Sequence, residues 1–227
     1  MRPLTDLVPK PLLLVGGVPL IERHIVNLAA AGITEIVVNT SYLADQLSTF
    51  LGSGDRWGVN IAVSHEASPL ETAGGIIQAL PLLGDQPFLV VNGDIYTDYP
   101  FERLHDHPVA TGGAHLIWVD NPPHHPKGDF MLLDGKVVAA VGASDDAQSV
   151  ALPDAAQAVT FSGIGCYSPA FFAGCQPGKQ ALKPLMVNAM RAGLLSGEHY
   201  LGEWEDVGTP ERLAILDKRF AHEDPSQ

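Results

Sequence analysis

Phe88-Leu89-Val90-Val91-Asn92-Gly93-Asp94 is the stretch whose reading decides the architecture. Four consecutive apolar residues suit a strand buried on both faces, as in a parallel sheet. Asn-Gly then breaks the strand and leaves Asp94 at its carboxyl end. Open α/β sheets bind their ligands at that edge, so the carboxylate is a candidate metal ligand. Asn, Gly and Asp also make an ordinary strand exit, and the stretch alone favours neither reading.

Upstream, helix and strand patterns alternate. Pro19 to Ala31 has a first-turn proline, helical spacing of Leu20, Ile21, His24, Ile25 and Leu28, and Gly32 as its stop. Ile33 to Val38 is β-rich. Ser41 is placed to cap a helix from Tyr42 to Leu51, and 60–64 is a further strand. Glu71 to Leu83 is a helix whose first turn carries Gly74 and Gly75, at a cost of about 1 kcal/mol each against alanine. A ligand close to the backbone or a tight helix–sheet contact explains them equally well. Helix–strand alternation of this kind specifies a three-layer α/β sandwich around a largely parallel sheet.

Downstream the rhythm changes. A short helix covers 101–107 and a strand 114–119. The loop from Asp120 to Phe130 is rich in proline and histidine. His124 and His125 are adjacent, so they point different ways and make a poor metal pair. Asp129 precedes a strand at 130–133 and is either a turn carboxylate or an acceptor for a sugar hydroxyl. Asp134-Gly135 signals a hairpin into 136–141. Gly142 to Gln157 is small, polar and acidic, a loose excursion. Strand 159–167, a helical turn at 169–175 and an amphipathic helix at 182–192 follow. A strand ending at Asp206 leads to Thr209-Pro210, an N-cap and first-turn proline opening the closing helix, 211–222.

The 227 residues fit one domain, 1–227, without repeats or a linker. A net charge of −13 argues against sequence-independent nucleic-acid binding, and no tract is long enough to cross a membrane. A phosphorylated substrate remains open, since local cations and a metal offset the field. Cys166 and Cys175 lack metal or redox spacing and are expected to be reduced core thiols in the cytoplasm.

Two aspartates, Asp94 and Asp206, thus end apolar segments. Lys10 sits between Pro9 and Pro11, which hold it on a stiff, extended segment. One or two carboxylates with substrate phosphates are a common Mg²⁺ site, and a fixed lysine is a plausible phosphate contact. Jointly these suggest phosphoryl or nucleotidyl transfer, without a protein nucleophile.

Met1-Arg2-Pro3-Leu4-Thr5, Pro9-Lys10-Pro11-Leu12, Val91-Asn92-Gly93-Asp94 and Asp206-Val207-Gly208-Thr209 resemble the sugar-1-phosphate nucleotidylyltransferase family. The resemblance implies a Rossmann-like nucleotidyltransferase fold with a mostly parallel mixed sheet. Pro69-Leu70-Glu71-Thr72, His124-His125 through Phe130, Phe161-Ser162-Gly163-Ile164 and Ser196 through Tyr200 are similar to its branch that uridylylates N-acetylmuramate 1-phosphate. The implied substrates are UTP and that sugar phosphate, with Mg²⁺, in cytoplasmic peptidoglycan recycling. Lys10, Asp94 and Asp206 become the catalytic residues, with Asp94 and Asp206 on the metal. Arg2, Lys10, Ala67 and Glu71 become nucleotide-binding, and Asn92, Asp129, Gly163 and Glu198 sugar-binding. In the family a strand and a glycine-rich loop, Leu-Ala-Ala-Gly-x-Gly-x-Arg, precede the Arg-Pro-Leu-Thr run, and the loop wraps the triphosphate. Residues 1–227 open inside that motif, so strand and loop are expected to be missing from the domain. Another sugar or base, such as mannose 1-phosphate with GTP, and a non-catalytic sugar-nucleotide-binding protein are the alternatives. A glycosyltransferase with a strand-end aspartate is a third class, which does not need Lys10 in its proline frame.

Overall fold

A computed structural model describes residues 1–134, 136–141 and 155–220. The elements run β1 (Leu14–Val15), β2 (Val18–Pro19), α1 (Leu20–Ala30), β3 (Glu35–Thr40), α2 (Ala44–Leu51), β4 (Asn60–His65), α3 (Glu71–Leu83), β5 (Phe88–Val91) and β6 (Ile95–Thr97). They continue with α4 (Glu102–His105), β7 (Ala114–Val119), β8 (Phe130–Leu133), β9 (Lys136–Ala140), β10 (Gln157–Tyr167), α5 (Lys183–Arg191), β11 (Leu195–His199), β12 (Trp204–Asp206) and α6 (Pro210–Phe220).

The expected α/β sandwich is present, with the sheet divided more than alternation suggests. Six strands form one sheet in the order β5-β10-β7-β11-β9-β8, and β3 pairs with β4 in parallel as a separate pair. In the six-stranded sheet β5, β7, β8 and β11 share a direction while β9 and β10 oppose them. The sheet is mixed, as expected, but not mostly parallel in its pairings: among the described residues only β7 and β11 of this sheet pair in parallel, because β10 inserts between β5 and β7 and β9 between β11 and β8. The long strand β10 pairs with three others, and nothing local in its sequence encodes that.

Alternate residues of β7 face different cores. Leu116 and Trp118 pack with α3 and α5 residues such as Ile76, Met186 and Ala189. Ile117 packs on the opposite face with Leu28 of α1, Leu104 of α4 and Ile164 and Cys166 of β10. All six β7 residues are buried, the burial of a central strand covered by helices on both faces. A third core joins α1 and α2 to β3 and β4 through Ile25, Leu47, Leu51 and Val59. Cys166 is buried and Cys175 half-buried; both are free thiols.

Between β3 and β5 lies a cavity of about 980 Å³, lined by Ile36, Val37 and Val38 on one side and Leu89, Val90 and Val91 on the other. No hydrogen-bonded ladder joins β3 to β5 among the described residues.

Some boundaries differ from the expected ones. The second helix starts at Ala44, and Leu43 at φ +54° occupies its N-cap without a side-chain bond, so Ser41 does not cap it. Leu195–His199 is a strand that lacks a clear apolar alternation, since Gly197 sits at its centre. Gly135 of the Asp134-Gly135 hairpin, and 142–154 of the acidic excursion, lie outside the described residues.

His24 of α1 is buried, and its Nε2–H donates to the Ile95 carbonyl at 2.9 Å. Burial holds its pKa down at about 4, against the smaller upward effects of that bond and of Asp94. Between pH 4 and 6.5 the unfolded chain therefore binds the proton and the folded one does not. The stability from a neutral His24 is complete above about pH 6.5 and is lost as pH falls towards 4. His115, whose pKa burial and His107 also lower to about 4, acts in the same window. Urea unfolding is expected to lose on the order of 3 kcal/mol from His24 across that range. His24→Gln, which still donates to Ile95 but cannot protonate, should flatten the dependence; an unchanged profile would contradict this assignment.

Candidate active site

The site begins where β5 ends. After Val91, the Asn92-Gly93-Asp94 turn leads into β6, and β6 pairs antiparallel with β12. Ile95 stands opposite Asp206, and the Val207 N–H donates to the Asp94 carbonyl at 2.9 Å. This pairing places two carboxylates distant in sequence on neighbouring chains. Each already holds a cation. Lys10 Nζ lies 2.6 Å from Asp94 Oδ2, with the two side chains 27% and 40% exposed. Arg212 Nη1 lies 2.8 Å from Asp206 Oδ2.

Lys10 reaches Asp94 from a turn and not from an extended segment. Pro9 is extended, but Lys10–Leu12 is one 3₁₀ turn with Pro11 in its first positions. The prolines still fix the lysine, through a turn that aims Nζ back at the β5 edge.

Asp94 and Asp206 supply hard oxygen donors, and both attract cations in this fold. That suits a Mg²⁺ ion held by two carboxylates with the remaining positions left to phosphate oxygens and water. Among the described residues no cluster of three or more His, Cys, Asp or Glu could hold a metal by itself.

The residues expected on the sugar fall in two places. Asn92 and Gly163 meet directly: the Asn92 N–H donates to the Gly163 carbonyl at 2.9 Å. Gly163 sits at φ +86° where β10 shifts register between Phe161 and Gly165, and a Cβ there would come within 2.6 Å of the Asn92 side chain. Asp129 is not free for a sugar hydroxyl as it stands. Its Oδ2 accepts from the Phe161 N–H at 3.1 Å and its Oδ1 from Lys183 Nζ at 3.2 Å. Glu198 lies on β11 with Arg103 at 3.5 Å.

Of the residues expected on the nucleotide, Glu71 opens α3 at φ +62°, an uncommon conformation for a residue with a side chain, and pairs with Lys179 at 3.2 Å. Ala67 is exposed in the bend before it. Glu71, Asn92 and Gly93 all line the cavity between β3 and β5. Arg2 instead makes a surface ion pair with Asp6, its side chain 89% exposed.

The two glycines of α3 are explained by packing. A Cβ on Gly74 would lie 2.2 Å from the Gly178 carbonyl, and one on Gly75 2.6 Å from both Asn39 and Glu66. The 178–180 segment is laced to the helix start by Gln180 N–H to the Leu70 carbonyl and Gly74 N–H to the Gln180 carbonyl.

Sequence reasoning did not anticipate Arg212 and Lys183. Their signals were weak, a basic residue in the first turn of a helix, and only the folded contacts reveal them. It did anticipate that the two histidines diverge: His124 faces Asp206 at 3.5 Å and His125 faces Asp129 at 3.5 Å.

The nucleotidyl transferase family matches residues 1–133. The N-acetylmuramate alpha-1-phosphate uridylyltransferase of Neisseria meningitidis serogroup B is 48% identical over 94% of this chain and 90% of its own length. Mannose-1-phosphate guanyltransferase beta-A of Xenopus laevis is 31% identical over 93% of this chain, which spans 58% of that longer protein. A crystal structure from Bacillus anthracis described as a glucose-1-phosphate thymidylyltransferase superposes with a TM-score of 0.81 at 20% identity. It covers all of this chain and 92% of its own, and shows the shared fold.

Gly163→Ala is expected to cost more than about 2 kcal/mol, because it adds strain at positive φ to a clash with Asn92. A shift in the urea midpoint at unchanged slope measures it; a near-neutral substitution would show that β10 yields at its bulge.

Proposed function

The chain belongs to the nucleotidyl transferase family and is a sugar-1-phosphate nucleotidylyltransferase; we propose that it transfers a uridylyl group from UTP to N-acetylmuramate α-1-phosphate, releasing pyrophosphate. The likeness to the meningococcal uridylyltransferase over nearly the whole of both chains carries the choice of sugar and base. The relative that acts on mannose 1-phosphate is more distant. The UDP-N-acetylmuramate formed has its place in peptidoglycan recycling in the cytoplasm, and no helix of the described residues is long and apolar enough to cross a membrane.

In this reading a phosphate oxygen of the sugar 1-phosphate attacks the α-phosphorus of UTP, and pyrophosphate departs in line. Charge accumulates on the transferring phosphate, so positioning and neutralisation do most of the work. Mg²⁺, held by Asp94 and Asp206, would supply charge neutralisation and phosphate alignment when bound. Lys10 donates from Nζ to a phosphate oxygen, held at the β5 edge by its proline turn. The Ala67 backbone and the Glu71 turn lie against the base, where the Glu66 and Lys179 contacts keep the start of α3 fixed. Asn92, Gly163, Asp129 and Glu198 take the sugar. The Asn92–Gly163 bond sets the floor of that subsite. Lys183 and His125 hold Asp129 in place until a hydroxyl competes for its oxygens.

A panel of sugar 1-phosphates offered with UTP and GTP, read by pyrophosphate release, should give highest kcat/KM for N-acetylmuramate 1-phosphate with UTP. Preference for mannose 1-phosphate with GTP would replace this reading by the guanylyl one. Asp94→Asn should lower turnover by three orders of magnitude or more while the protein stays folded; near-wild-type turnover would remove Asp94 from the metal.

A further inference from the structure

Arg212 is more firmly built into the site than a chance surface ion pair. Its Nη1 lies 2.8 Å from Asp206 Oδ2 and 2.7 Å from His124 Nε2, and its side chain is 23% exposed. The same Nη1 lies 3.4 Å from His124 Nδ1, so the guanidinium sits against the imidazole ring, a second contact beside the carboxylate. The Thr209 hydroxyl accepts from the Arg212 N–H at 3.2 Å and fixes the first turn of α6. Gly208 leaves the passage open: a Cβ there would lie 2.1 Å from the guanidinium and 3.1 Å from Asp206 Oδ1. Backbone, cap and loop therefore converge on one placement of the guanidinium, against the carboxylate read as a metal ligand.

That placement has an electrostatic consequence. A divalent ion coordinated by Asp206 Oδ2 and a guanidinium donating to the same oxygen would be two cations a few ångströms apart, and their repulsion is strong where water is thinned. We propose that Arg212 is a resident counter-cation of Asp206, which a divalent metal must displace before it can use that carboxylate. The displaced fork stays tethered to His124, on the same loop as Asp129. Lys10 on Asp94 neutralises the other carboxylate in the same way. With both aspartates compensated from within, the carboxylate pair alone has little net charge to offer a metal. Metal capture then depends on the phosphates that arrive with the nucleotide.

The proposal rests on Asp206 being a metal residue, and the test separates the two claims. Mn²⁺ binding to the purified protein, without nucleotide and at low ionic strength, is followed by the electron paramagnetic resonance signal of the free ion. Arg212→Gln should bind Mn²⁺ about three- to tenfold more tightly than the wild type, the range expected for losing a partly exposed competing ion pair. Arg212→Lys, which keeps the charge, should restore most of the weaker wild-type affinity. A merely structural arginine predicts the opposite sign, because a loosened site binds metal less well. Unchanged or weaker binding in Arg212→Gln overturns the counter-cation role. If Asp206→Asn still lowers Mn²⁺ affinity in that case, the metal reading survives. If Asp206→Asn binds Mn²⁺ as the wild type does, the metal reading falls and the proposal with it. Circular dichroism of each variant confirms that the comparison is between folded proteins.

Discussion

The pairing of β6 with β12 is the constraint on which the site depends. It is a short ladder, three residues on each strand, extended by the Val207–Asp94 bond. Without it Asp94 and Asp206 belong to different parts of the chain. With it the two carboxylates stand on paired strands, and their mutual repulsion has to be offset. Lys10 and Arg212 offset it, one from a proline-framed turn near the start of the chain and one from the first turn of the last helix. His24 ties α1 to Ile95 immediately beyond Asp94, so the core supports the same strand pair. Strand pairing, charge compensation and burial all meet within a few residues of the β5 edge.

The sugar side is organised by β10 instead. Its register shift near Gly163 lets Asn92 and Gly163 approach, and its Phe161 N–H holds one oxygen of Asp129. One irregular strand thus sets two of the residues assigned to the sugar. The glycine is there because both its backbone angle and the neighbouring asparagine exclude a side chain.

Much of this was legible in the sequence where the signal was local. The Thr209-Pro210 helix start, the helix boundaries of α1 and α3 and the divergence of His124 from His125 each depend on a few adjacent residues. The apolar run 88–91 is a strand as expected, but it ends the sheet, pairs antiparallel with β10 and is buried only at Phe88, so it is not the doubly covered parallel strand its sequence suggests. What was not legible depends on contacts between distant segments. The insertion of β10 between β5 and β7 is a choice among pairings that hydrophobic pattern cannot rank. Gly74 and Gly75 looked as much like a ligand's approach as like packing, because the Gly178 carbonyl that presses on Gly74 lies a hundred residues further on. Lys10 was expected on a phosphate; the fold gives it Asp94 as a partner, a contact between segments 84 residues apart. Arg212 was overlooked because an arginine in a helical first turn carries no mark of what it folds back onto.

The cavity between β3 and β5 also bears on how the protein behaves in concentrated solution. Two strand edges face it, with Ile36 to Val38 on one side and Leu89 to Val91 on the other, and such edges are templates for any passing strand. A formal charge of −13 keeps copies at a distance. That repulsion reaches only about a Debye length, which shrinks from about 30 Å at 0.01 M salt to about 10 Å at 0.1 M. In dilute buffer that repulsion spans the space between approaching copies, and in salt it fades.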